Sequence, residues 1–118
     1  MTLTIYHNPR CSKSRQTLEL IRDAGIEPVI IEYLEDAPAP QEIVALAGRL
    51  RIPVSGLLRR GEDEFRQASD LPSLDDDLAL AEWLARHPRV IERPIVIDTA
   101  NGTAILGRPP ENVRKLLP

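Results

Sequence analysis

Residues 3–34, LTIYHNPRCSKSRQTLELIRDAGIEPVIIEYL, decide how this chain begins to fold. LTIYH (3–7) is short, carries β-branched residues and is stopped by Asn8-Pro9, which are the marks of a strand. From Ser12 to Ala24 apolar residues recur at Leu18, Ile21 and Ala24 with helical spacing, and Gly25 supplies a C-terminal stop. EPVIIEYL (27–34) then reads as a second strand, its unbroken apolar stretch predicting burial inside a sheet. Strand, helix and strand in this order make a βαβ unit, with a right-handed crossover.

Beyond it, the prolines of EDAPAP mark a loop and Gln41 to Leu50 reads as a helix. Residues 53–88 read as helical pieces separated by glycine and proline. DDDLALAEWLARH is the clearest of them, with acids in its first turn and Arg86 and His87 in its last, each favourable to the helix dipole. The triple aspartate is read as a solvated helix start rather than a metal site, and Trp83 with its leucines as core. The chain returns to strand at RPIVID (93–98), turns at Ala100-Asn101-Gly102, and continues as TAILG (103–107). PPENVRKLLP closes with a short helix, Pro110 suiting its first turn.

The element order is therefore β-α-β, a helical middle, then β-β-α. This is an α/β arrangement of thioredoxin-like type, a four-stranded mixed sheet with helices inserted between its halves. One domain over residues 1–118 is expected, with the insertion at about 40–90.

Composition narrows the function classes. The net charge of −3 argues against general nucleic-acid binding, which carries a basic excess, and 3% aromatics are too few for base-stacking platforms. No apolar run approaches the ~20 residues needed to span a bilayer. MTLTIYHNPR has neither an apolar core segment nor a small-residue cleavage site, so no secretory signal is expected. A single cysteine cannot form an internal disulfide, which fits a reducing, cytoplasmic setting.

That cysteine, Cys11, stands where the first strand hands over to the first helix, among Arg10, Lys13 and Arg15. Unpaired N–H groups and the positive end of the dipole at a helix N-terminus favour thiolate over thiol, as do neighbouring cations. The hydroxyls of Ser12 and Ser14 are candidate donors to the same sulfur. A lone cysteine is commonly a small buried hydrophobe, but an inert thiol has no use for three flanking cations. A nucleophile is the better reading, at a place that also suits an incoming oxyanion. Spacing removes several alternatives. Ser14 occupies the C-x-x-C partner position, so an external thiol must resolve any intermediate. Thr17 stands where a cysteine-phosphatase loop would need arginine. Neither a Walker loop nor GxGxxG is present, and with one cysteine and two distant histidines, His7 and His87, no structural zinc site is expected.

The string IYHNPRCSKSR, followed by LLR, RPIV and GRPPE, resembles the glutaredoxin-coupled arsenate reductase family (ArsC type), most of all its shorter bacterial members. The resemblance implies a thioredoxin-like fold with a helical insertion. It implies that Cys11 is the nucleophile, and that His7 and Ser14 help lower its pKa. Arg59, Arg93 and Arg108 would hold the oxyanion, with Arg15 as a further candidate contact, and Pro94 would follow a cis peptide bond. Guanidinium forks suit tetrahedral oxyanions and stay charged at any working pH. The implied substrate is arsenate or a similar oxyanion, with glutathione as co-substrate, glutaredoxin as partner, and no bound cofactor or metal. Two other functions compete: a glutathione-dependent thiol oxidoreductase, for which three arginines would be unnecessary, and an Spx-like regulatory binding protein, whose usual C-x-x-C switch is missing here.

Overall fold

The computed structural model describes residues 2–118. The chain forms two compact units, one of the residues up to Asp36 together with Arg93–Pro118, the other of Ala37–Glu92.

In the first unit, strand β1 (Leu3–His7) leads into helix α1 (Ser12–Asp23), which returns to strand β2 (Val29–Glu32). Helix α1 ends as the sequence predicts. Gly25 adopts φ +83°, and the N–H groups of Gly25 and Ile26 donate to the carbonyls of Arg22 and Ile21. A left-handed residue at this point closes the helix, and glycine takes it without a Cβ penalty. Strands β3 (Ile95–Asp98) and β4 (Thr103–Leu106) form a hairpin, and a 3-10 helix (Pro110–Leu116) follows. The hairpin turn has Gly102 at φ +78°, and the Asn101 side chain accepts from the Thr103 N–H.

The sheet is mixed, in the order β2-β1-β3-β4, with β1 parallel to β2 and antiparallel to β3. Leu3 and Ile5 alternate onto the face that meets Leu18 and Ile21 of α1, Val96 of β3, and Val113 and Leu116 of the closing 3-10 helix. This cluster fixes the end of β1 and the start of α1 relative to β3, and so sets the place of Cys11.

The second strand differs from the expectation. It is shorter than residues 27–34 and lies at the sheet edge rather than inside, with Val29 55% and Ile30 37% exposed. It pairs only with β1, so its apolar run reflects strand propensity and not two covered faces.

In the second unit, helix α2 (Pro40–Leu50) packs its Ile43, Leu46 and Ala47 face against helix α4 (Asp77–Arg86), which contributes Leu80, Ala81, Trp83 and Leu84. Trp83 is fully buried and donates its indole N–H to Asp70 at 3.0 Å. Between them lie a 3-10 turn (Val54–Leu57), the single-turn helix α3 (Asp63–Arg66) and, after α4, another 3-10 turn (Pro88–Val90). A short antiparallel bridge joins Leu58 to Ile91, flanked by hydrogen bonds from Arg59 N–H to Val90 and from Glu92 N–H to Leu57, both 2.7 Å.

The aspartate run has two structural tasks in this unit. Asp76 caps α4 by accepting from the Ala79 N–H at 3.1 Å, and Asp77 accepts from the Val54 N–H at 3.3 Å. Asp76→Ala should therefore cost about 1 kcal/mol of stability, read as a lowered thermal midpoint with unchanged circular dichroism.

Candidate active site

Cys11 is the N-cap residue of α1, half-buried, with extended backbone (φ −95°, ψ 122°). Its N–H donates to the Asn8 carbonyl, and its own carbonyl receives the Arg15 N–H, both at 3.0 Å. The loop is pinned further by the Asn8 side chain, which accepts from the Arg10 N–H. Asn8-Pro9 ends the strand and this tight turn starts the helix, so the thiol lies over the first turn of α1, where N–H groups lack helical partners.

In its neutral form the thiol makes no capping hydrogen bond. The thiolate is a different matter. Burial pushes the Cys11 pKa up, but the backbone N–H groups of Ser14 and Lys13 and the Arg93 guanidinium, by hydrogen bonding and by charge, outweigh it. The net effect is a pKa below the ordinary thiol value.

The source of the positive charge corrects the local reading. Arg10 and Lys13 are exposed, and Arg15 turns back to donate to the Pro9 carbonyl at 3.0 Å. Lys13 acts on the sulfur through its backbone N–H, and the cation that lowers the pKa is Arg93, far away in sequence. Ser14 likewise acts through its N–H. Its hydroxyl is engaged elsewhere, accepting from the Asn8 N–H at 3.1 Å and lying 2.6 Å from His7 Nδ1.

Ser14 is fully buried and His7 nearly so. Burial lowers the His7 pKa; Glu32 opposes this, and Arg22 and Arg15 add to it. The imidazole is therefore neutral at neutral pH and brings no cation to the thiolate. Ser14 Oγ thus joins the Asn8 N–H to His7 Nδ1, the His7 tautomer setting which of the last two donates. The pair holds the residue whose N–H faces the sulfur.

Arg93 begins the segment that enters β3, and the Arg93–Pro94 peptide is cis. Arg108 donates from Nη1 to the Arg93 carbonyl at 3.2 Å, and the Arg108–Pro109 peptide is cis as well. The first unit thus brings together Cys11, His7, Ser14, Arg15, Arg93, Pro94 and Arg108. Arg59 belongs to the second unit. There the short bridge sets it beside Glu62 and Glu92, whose carboxylates lie 3.6 and 3.8 Å from its Nε, while its Nη1 is buried without a hydrogen-bond partner.

Among the described residues no group of three or more His, Cys, Asp or Glu side chains is placed to hold a metal ion, and no helix is long and apolar enough to cross a membrane. What the site offers is a half-exposed thiolate, two inward N–H groups and a guanidinium. It can attack an electrophile and hold negative charge on the group attacked. A direct check is the pH dependence of Cys11 alkylation by iodoacetamide. Because a lowered pKa keeps the thiolate populated at lower pH, the folded protein should reach half its maximal rate at a lower pH than the urea-unfolded chain.

Residues 6–116 match the model of the ArsC family. The chain is 42% identical to an arsenate reductase of Escherichia coli (strain K12) over 116 residues, 98% of this chain and 81% of that protein. It is 40% identical to an arsenate reductase of Neisseria meningitidis serogroup A, over 98% of this chain and 97% of that one. Among solved structures, an arsenate reductase from Vibrio cholerae superimposes with a TM-score of 0.87 at 43% identity, covering 99% of this chain and 98% of its own. The family model and these relatives span nearly the whole chain and share its thioredoxin-like sheet, and the chain belongs to the ArsC family.

Proposed function

We propose that the chain is an arsenate reductase in which Cys11 forms a covalent bond to arsenic and external thiols complete the reduction. The observation that carries this reading is the Cys11 thiolate held between two backbone N–H groups and Arg93. The names of the relatives support the substrate.

The thiolate attacks arsenic, an As–S bond forms, and an arsenate oxygen leaves as water or hydroxide. The Ser14 and Lys13 N–H groups keep the sulfur anionic until attack. Arg93 pairs with the oxyanion as the sulfur's charge is spent, and Arg108, with Arg15, supplies further oxyanion contacts. Glutathione then displaces a second oxygen. A second thiol, of glutaredoxin or of another glutathione, attacks the sulfur of the arsenic-bound glutathione. A disulfide forms, its two electrons pass to arsenic, and As(III) is hydrolysed from Cys11 as arsenite. One arsenate and two thiols thus give one arsenite, one disulfide and one water. The single cysteine, which leaves the described chain without an internal resolving partner, supports external thiols. A reaction that consumes glutathione thiols belongs in a reducing compartment, the cytoplasm.

The test is NADPH consumption with purified protein, arsenate, glutathione, glutaredoxin and glutathione reductase. Arsenate-dependent consumption supports the reading. Consumption with a glutathionylated substrate and none with arsenate overturns it in favour of a thiol oxidoreductase.

A further inference from the structure

Thr17, in the second turn of α1, is fully buried. Its hydroxyl donates to the Lys13 carbonyl at 2.8 Å, and the Gly107 carbonyl lies 3.5 Å from the same oxygen. Gly107, at the end of β4, donates its N–H to the Pro94 carbonyl at 2.9 Å. A Cβ placed on Gly107 would lie 2.6 Å from Thr17 Oγ1, 3.1 Å from Thr17 Cγ2 and 2.8 Å from Pro94 Cγ. Carbon does not approach so closely, and neither neighbour is the free end of a flexible side chain. One is a branched, buried, hydrogen-bonded threonine and the other a proline ring, so the backbone would have to move.

The segment beyond is also held. The Asn112 side-chain amide donates to the Leu106 carbonyl at 3.2 Å and to the Arg108 carbonyl at 3.1 Å, bracketing Gly107. Arg108 in turn donates to the Arg93 carbonyl. Three stretches distant in sequence therefore meet at one glycine: the helix that carries Cys11, the segment of Arg93 and the segment of Arg108. An error of about 1 Å in such a constellation costs a reaction far more than it costs a fold.

We propose that Gly107, Thr17 and Asn112 are positioning residues, which hold Arg93 and Arg108 in place relative to the Cys11 sulfur. None of the three touches the reacting atoms. Their role in turnover rests on the arsenate reading above, whereas their effect on the thiol does not.

The experiment uses the full chain with Thr17→Val, Thr17→Ser, Gly107→Ala and Asn112→Ala, each checked for native circular dichroism. Two quantities are read: the pH profile of Cys11 alkylation by iodoacetamide, and KM and kcat for arsenate. Thr17→Val, Gly107→Ala and Asn112→Ala should move the alkylation profile to higher pH, with about a three- to tenfold lower rate at neutral pH. Arsenate KM should rise in the same variants. Thr17→Ser, which keeps the hydroxyl, should follow the parent. Lower melting temperatures with unchanged alkylation profiles would overturn the proposal and leave the cluster as packing alone. Thr17→Ser behaving like Thr17→Val would overturn the part given to the hydroxyl. If Gly107→Ala does not fold, Thr17→Val and Asn112→Ala decide, since the first is nearly isosteric and the second removes atoms. A parent protein inactive on arsenate would overturn the reductase reading, and the alkylation profiles would still judge the positioning role.

Discussion

Cys11→Ser should reduce arsenate-dependent turnover by about a thousandfold or more while leaving the fold intact. The expectation rests on what the site stabilises. Against the cost of burial, three groups favour an anion at that atom: the Ser14 and Lys13 N–H groups, and the Arg93 guanidinium. A serine hydroxyl, with a far higher pKa, stays protonated in the same surroundings, so no nucleophile is presented to arsenic. Serine is also a good N-cap residue, so α1 should start as well or better in the variant. The NADPH-coupled assay reads the loss and thermal unfolding reads the retained stability. Turnover kept in the serine variant would sink the covalent mechanism. Arsenate affinity measured on the same variant is a separate quantity, because the arginines remain.

Much of the scaffold can be read from local sequence, because its signals are local. Asn8-Pro9 must end β1, Gly25 must end α1, and the apolar spacing of Leu18 and Ile21 gives α1 its buried face. The position of β2 in the sheet is not of this kind. VIIE looks the same whether it is flanked by two strands or one, and only the pairing of β1 with β3 puts it at the edge. The site divides in the same way. Cys11 at a helix start is visible in the loop, and so is the supply of backbone N–H groups. The identity of the effective cation is not. Arg10, Lys13 and Arg15 crowd the sulfur in the sequence, yet Arg93 is the one that acts on it, brought there by the antiparallel pairing of β3 with β1. The family resemblance points to Arg93 by motif, where the local sequence points to Arg10, Lys13 and Arg15. Gly107 and Thr17 carry no sequence signal for their contact beyond the glycine itself, because the contact joins residues on different elements.

The second large effect is expected at Arg93. Arg93→Ala removes both a hydrogen bond and a full charge from the Cys11 thiolate. A hydrogen bond to a charged group is worth about 1.5–3 kcal/mol, so the thiol pKa should rise. The direction follows from the balance at the sulfur. Burial alone raises the pKa, and with Arg93 gone only the two N–H groups oppose it. At neutral pH the thiolate fraction falls accordingly, and alkylation should slow about ten- to a hundredfold. Turnover should fall further than alkylation. On the proposed mechanism Arg93 also pairs with the oxyanion, and loss of one such donor costs about a hundred- to a thousandfold in its own right. Arg93→Lys separates the two contributions. A lysine keeps a charge near the sulfur but lacks the planar fork, so it should recover much of the alkylation rate and little of the arsenate turnover. Equal recovery of both by lysine would mean that Arg93 acts only as a point charge on the thiol. No loss of either in Arg93→Ala would move the source of the lowered pKa to the helix N-terminus alone.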